Sequence, residues 1–195
     1  MTRILGVDPG LTRCGVGVID LAAGRRVSLV SVGVFRTAPT DELSARVGTI
    51  GAQIEALILE QKPDIIALER VYADANVRSV MGTAQISGVV LMLAHKYGLP
   101  ISLHTPTEVK AAVTGSGKAE KAQVGNMVAK ILGLSEVPKP ADAADSLAIA
   151  ICHAWRGAAA SVATQPGNGT GGSALTPAQA AWQQAERAAA RKREG

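Results

Sequence analysis

The order of its elements constrains this chain more than any other feature. Arg3 to Val7 and Cys14 to Ile19 are apolar β-like runs divided by Asp8-Pro9-Gly10, a breaker sequence that predicts a reversal. Arg26 to Arg36, rich in valine with interspersed serine and glycine, predicts a third strand. Three strands with short links suit an antiparallel meander. The style then changes. From Asp41 to Lys62, Leu43, Val47, Ile50, Ile54, Leu57 and Ile58 share one helical face, and Pro63 stops the helix. Asp64 to Glu69 reads as a short buried strand, Asn76 to Tyr97 as a helix and Ile101 to His104 as a strand. Two helices follow, from Lys118 to Leu132 and from Pro140 to Arg156. Strands joined through helices lie parallel. The expectation is an α/β domain in the order βββαβαβαα, with a mixed five-stranded sheet, its first three strands antiparallel, and helices on both faces.

The length of 195 residues, with 47% apolar and 18% charged residues, suits one buried core and argues against disorder along most of the chain. No apolar run approaches the ~18 residues that a membrane span needs. Met1 leads directly into a strand with no signal-peptide pattern, so a cytoplasmic, membrane-free protein is expected. Cys14 and Cys152 sit singly in apolar stretches and read as buried free thiols. Near Gly157 the composition breaks, which predicts a domain over 1–156 and a tail over 157–195. Within the tail, Gly157 to about Pro177 reads as a flexible linker, and Pro177 to Arg193 as a basic helix former that would fold on a partner.

Of 20 basic and 16 acidic residues, four basic and two acidic lie in that tail, leaving the body nearly balanced. If four body acids gather in one metal site, the remainder is distinctly basic, which suits a polyanion gripped around an acidic centre. Within the helix from Asn76 to Tyr97, the half from Ile86 to Ala94 is apolar on nearly every side and must be covered all round. That predicts a homodimer with this helix at its interface. A central helix within one subunit is the alternative.

Asp8 and Glu69 each close an apolar strand, at the carboxyl edge where open α/β sheets place their chemistry. Taken singly, Asp8 is better explained by a turn before Pro9-Gly10, and Glu69 by a surface pairing with Arg70. Asp142 and Asp145 stand one helical turn apart at the start of an apolar helix, on one face. Helix capping explains Asp142 well and Asp145 less well. Together the four supply hard oxygen ligands for a pair of Mg²⁺ ions, as two-metal phosphodiester hydrolysis requires. Zinc is poorly supported, because His95, His104 and His153 are dispersed and no cysteine pair accompanies them.

These residues resemble the RuvC family of bacterial Holliday-junction resolvases, within the ribonuclease-H-like nuclease superfamily. The resemblance runs over about residues 3 to 156, through Gly6-Val7-Asp8-Pro9-Gly10, Ala67-Leu68-Glu69-Arg70-Val71, Val109-Lys110 to Glu120-Lys121, and Ala141-Asp142-Ala143-Ala144-Asp145. It implies a ribonuclease-H-like fold, with the family's catalytic, metal-holding acids at Asp8, Glu69, Asp142 and Asp145. It further implies a dimer that nicks a four-way DNA junction symmetrically with Mg²⁺, or Mn²⁺ as substitute, alongside the RuvA and RuvB branch-migration proteins. Recombination and DNA repair are the setting.

Lys110, Lys118 and Lys121 lie around Gly115-Ser116-Gly117 and read as phosphate contacts, with a solvated basic helix start as the alternative for each. The stretch is not a Walker loop, since Ala112 stands where the first glycine belongs and Ala119 follows the lysine. The family resemblance favours Lys110 and Lys121 as DNA contacts. Tyr72, in a polar stretch three residues past Glu69, is expected to stack on an unpaired base, and Arg78 to meet phosphate, with a solvated arginine as its equal alternative. Trp155 and Tyr97 read as packing residues. Two other classes compete: an inert junction-binding scaffold, and a phosphotransferase of the sugar-kinase and actin type, whose architecture needs two such domains.

Overall fold

The first strand, β1 (Thr2–Asp8), is the axis of the fold. The structure is a computed structural model and describes residues 1–71 and 77–163, with side chains at 1–71 and 80–156. After β1 come β2 (Arg13–Leu21), β3 (Val27–Arg36), α1 (Leu43–Gln61), β4 (Ile65–Glu69), α2 (Val77–Lys96) and β5 (Ile101–His104). Three helices end the described chain: α3 (Pro106–Thr114), α4 (Lys121–Leu132) and α5 (Ala141–Ala163). The strands lie in the order β3-β2-β1-β4-β5. β2 pairs antiparallel with both β1 and β3, while β4 is parallel to β1 and to β5. This is the mixed sheet read from the sequence.

Alternation along the strands decides which side chains meet which helices. Leu5 and Val7 of β1, Cys14, Val16 and Val18 of β2, and Ile66 and Leu68 of β4 pack with Ile50, Ile54, Ile86 and Val90 of α1 and α2. Ile4, Ile19 and Ala67 point the other way, into a core built with Val109, Val113, Val124, Val128, Leu147 and Ile151 of α3, α4 and α5. A side chain at position 8 or 69 has the parity of Ile4 and Ala67. Asp8 and Glu69 therefore stand on the α5 side of the sheet, at neighbouring strand ends, because Val7 pairs with Leu68.

Helix α5 is laid unusually close over β1 and β2. A Cβ at Gly6 would come within 2.2 Å of the Ser146 carbonyl oxygen, and one at Gly15 within 2.1 Å of the Asp142 carbonyl oxygen. No side chain fits in either place. Glycine in a strand is usually a weakness, and here it is the condition for close helix–strand approach. A second tie lies on β5, where His104 Nε2 and His153 Nδ1 of α5 are 3.1 Å apart. Burial, and then the neighbouring His104, push the His153 pKa down to about 4, so the pair is neutral at pH 7.

Three features differ from the sequence reading by more than two residues. Helix α3 was not expected; Thr105 begins it with a full capping box to Glu108, and Pro106 occupies its first turn. The order is therefore βββαβαβααα. Helix α4 starts at Lys121 with Glu120 as its cap, which leaves Lys118 in the preceding loop. Helix α5 continues to Ala163, past the end expected at Arg156. Cys14 and Cys152 are both buried free thiols. Trp155 packs as expected, its Nε1 donating to the Arg25 carbonyl at 3.0 Å, and the Tyr97 hydroxyl donates to Glu55. Tyr72, the side chain of Arg78 and residues 164–195 lie outside the described residues.

Candidate active site

Two strand ends and one helical turn bring the four carboxylates onto one side of the sheet. Asp8 ends β1 and Glu69 ends β4, and the pairing of Val7 with Leu68 sets the two at neighbouring strand ends. Asp142 and Asp145 come in from the first turn and a half of α5, lowered over Gly15. Burial pushes the pKa of Asp8 up to about 8, with Glu69, Asp145 and Asp142 adding repulsion in the same direction. Glu69 is raised chiefly by burial and also by Asp145, against the opposing pull of Asp8, Lys121 and Lys110. The set is short of positive charge.

What cation there is comes from the flanks. Lys121 Nζ stands 3.0 Å from Asp145 Oδ2, and that bond raises the lysine pKa and keeps it charged. Lys110 lies close enough to Glu69 to lower its pKa. On the opposite flank, Arg13 Nε reaches Asp142 Oδ2 at 3.0 Å. Lys118 is exposed in the loop between α3 and α4, and among the described residues no contact joins it to the carboxylates. Of the three lysines, then, two stand at the acids and one stands apart.

The donor set fits a hard divalent cation. Four carboxylate groups gathered on one side of the sheet are relieved by a concentrated positive charge, and oxygen ligands are what Mg²⁺ prefers. Among the described residues, no three acidic, histidine or cysteine side chains close on one point at ligand distance. Asp142 and Asp145 are turned to Arg13 and Lys121 instead.

Comparison with known proteins decides the family. The sequence pattern of the family described as crossover junction endodeoxyribonuclease RuvC matches residues 4–153. The chain belongs to the RuvC family. The RuvC of Leifsonia xyli subsp. xyli is 56% identical over 195 residues, covering 97% of this chain and 94% of that protein. The RuvC of Parafrankia sp. is 58% identical over 157 residues, covering 80% of this chain and 88% of that one. Among solved structures, T. thermophilus RuvC in complex with Holliday junction substrate superposes with a TM-score of 0.78 at 32% identity, covering 82% of this chain and 97% of that chain. Membership of the RuvC family sets aside the sugar-kinase-like reading and makes the chain a crossover junction endodeoxyribonuclease.

Sequence reasoning missed two contributors to this RuvC site. Arg13 opens β2 with no flanking motif, and its partner Asp142 is 129 positions away, so no local pattern ties the two. Gly15 stands opposite Asp8 in the β1–β2 register, and its role is legible only once α5 lies above it.

Proposed function

We propose that this crossover junction endodeoxyribonuclease hydrolyses phosphodiester bonds at the centre of a four-way DNA junction, with Asp8, Glu69, Asp142 and Asp145 holding two Mg²⁺ ions, or Mn²⁺ in their place. The observation that carries the reading is the convergence of four carboxylates from three elements, with the buried Asp8 and Glu69, both raised above the usual carboxylate range chiefly by burial, at its centre. When bound, the ions supply Lewis-acid stabilisation of the attacking and leaving oxygens. Asp8 and Glu69, fixed at strand ends, hold their ligand oxygens on a rigid base. Asp142 and Asp145 complete the set from a helix whose height is fixed by the glycines beneath it. Lys121 and Lys110 neutralise phosphate on their flank of the scissile bond. Lys118, Tyr72 and Arg78 are placed on the DNA by the same reading: Lys118 and Arg78 on phosphate, Tyr72 against a base.

Two nicks on one junction call for two centres, and α2 offers the surface that brings two subunits together. Ile86, Val90, Leu93 and Ala94 are buried against the sheet, while Met81, Leu91 and Met92 are exposed at 54%, 43% and 54%. With Ala84 and Gly88 they form a stripe at helical spacing whose small residues allow close approach of a second α2. Leu91→Glu should convert dimer to monomer in sedimentation, and an unchanged dimer would reject this interface. The domain is taken to end near Arg156, with the tail from 157 serving as a separate segment; truncation after Ala163 should leave junction cleavage intact. The setting is cytoplasmic, and among the described residues no helix is long and apolar enough to cross a membrane. RuvA and RuvB would deliver the junction, so their addition should speed resolution of a mobile junction.

The deciding test is cleavage of an end-labelled synthetic four-way junction beside linear duplex, in Mg²⁺ and in chelator. Paired symmetrical nicks confined to the junction and to metal are expected. Tight binding without nicks in Mg²⁺ would favour the inert scaffold.

A further inference from the structure

The flank of the site opposite Lys110 and Lys121 is also basic. Arg13 at the start of β2 stands directly across the register from Arg36 at the end of β3. Like charges placed opposite one another across a sheet oppose pairing, so their presence calls for a counter-charge. Arg46, on α1, lies beside them. Its Nε donates to Thr37 Oγ1 at 3.0 Å and its Nη2 to Thr12 Oγ1 at 2.9 Å, which orients the guanidinium without neutralising it. Thr37 is in turn stapled to this turn, its N–H donating to the Thr12 carbonyl at 3.2 Å. Among the described residues no carboxylate pairs with Arg36 or Arg46, and Glu42, the nearby acid on α1, is turned to Ser44 and Ala45 at its own helix start. Arg13 is the exception, since Asp142 holds its Nε, yet its side chain is 56% exposed and keeps donors to spare.

We propose that Arg13, Arg36 and Arg46 form a second phosphate-binding surface, one that grips the DNA backbone where it leaves the catalytic carboxylates on the β2–β3 side. The chemistry is that of a guanidinium cluster, planar and multiply donating, which suits phosphodiester oxygens. Continuity with the centre favours nucleic acid over a free anion: Asp142 is shared between Arg13 and the acidic site, as Asp145 is shared with Lys121 on the other flank. A strand crossing the carboxylates would then be held on both sides of the bond to be cut. This inference rests on the junction-cleaving function described above.

The test is the salt dependence of binding to a synthetic four-way junction in chelator, for the wild type, Arg36→Ala, the double variant Arg36→Ala/Arg46→Ala, the charge-keeping Arg36→Lys/Arg46→Lys, and Lys121→Ala. Each lost phosphate contact should reduce the slope of log K against log salt by about 0.9. The expected result is a loss of roughly one for Arg36→Ala and roughly two for the double variant, equal across junction sequences, with the lysine pair near wild type. Arg36 has no described partner, so its truncation leaves the fold intact, and thermal melting checks the double variant. If Lys121→Ala flattens the slope and the arginine variants do not, the arginine surface is overturned and the junction reading stands. A wild type that fails to bind the junction would overturn both.

Discussion

The two ends of β1 treat charge in opposite ways. At its start Arg3 forms a fork on Asp20, with Nε and Nη2 each 2.9 Å from a carboxylate oxygen, and its Nη1 donates to the Gln61 carbonyl at 2.9 Å. Its backbone N–H reaches Asp64 at 2.6 Å. The hydrogen bond from Arg3 holds the Asp20 pKa below the usual carboxylate range. Five residues on, Asp8 is buried beside three other acids and its pKa is driven the other way. One end of the strand is compensated and stabilises the fold. The other is left uncompensated; on the proposed function an external cation and a phosphate chain complete it, the usual exchange of stability for chemistry at an active site.

The sharpest way to break this contrast is Glu69→Gln, which keeps size and removes charge. Cleavage of the junction should fall by roughly 10²- to 10³-fold, since several kcal/mol of metal-borne stabilisation are at stake. Junction binding in a gel-shift assay should persist. Cleavage at wild-type rates would remove Glu69 from the centre.

A smaller but broader effect is expected from Gly15→Ala. The added methyl would meet the Asp142 carbonyl oxygen at 2.1 Å, against backbone rather than a yielding side chain. Helix α5 must lift, at a cost of about 1–3 kcal/mol, and an ångström of displacement in Asp142 is worth roughly 10²-fold in rate. Melting and cleavage should fall together, whereas Glu69→Gln lowers cleavage alone. A Gly15→Ala enzyme with full activity would show that the height of α5 does not matter.

Much of this contrast is legible in the sequence, and the physics explains which part. Asp8 is marked by Pro9-Gly10 after an apolar run, Glu69 by the end of another, and Asp142 with Asp145 by helical spacing; each signal is local. Parity along β1 and β4 then fixes the face. The start of α3 is local too: Thr105-Pro106-Thr107-Glu108 is a capping box with proline in the first turn, but only Val109 and Val113 form its apolar face, so periodicity is faint. What a linear reading cannot supply is the pairing of Arg13 with Asp142, Arg3 with Asp20, or Gly15 with the α5 backbone. Those contacts exist only once three strands and a helix are stacked.

Asp8→Asn sharpens the comparison through stability. The unfolded aspartate titrates near 4, and the folded group near 8, so between those values the folded state keeps a proton that the unfolded chain has released. In chelator the wild type should therefore lose stability as pH rises from about 4 to about 8. Asparagine removes that loss, and the variant should be more stable at pH 8 by roughly 1–3 kcal/mol, allowing for the neighbouring Glu69, which can take up part of the titration. Its melting temperature should rise by several degrees while cleavage is lost. A variant that melts lower than wild type at pH 8 would contradict the uncompensated reading of this end.

The opposite end predicts the smallest effect and the opposite sign. Asp20 has a folded pKa below its unfolded value, so its contribution is present above about pH 4 and is lost as the pH falls through the folded value. Its partner Arg3 is a third exposed, and a pair in contact with water is worth about 0.5–1 kcal/mol. Asp20→Asn should thus lower stability by that amount at pH 7 and by progressively less as the pH falls below about 4 toward the folded value, where the wild-type carboxylate takes up its proton. Cleavage should be unchanged at every pH, since Asp20 lies at the far end of the sheet from the acids. Paired melting curves at pH 7 and pH 3 decide the matter: an equal deficit at both would mean that packing, not the ion pair, is what Asp20 supplies. A fall in cleavage would mean that the two ends of β1 are coupled, and that the compensated end stabilises the fold partly by holding the catalytic one in place.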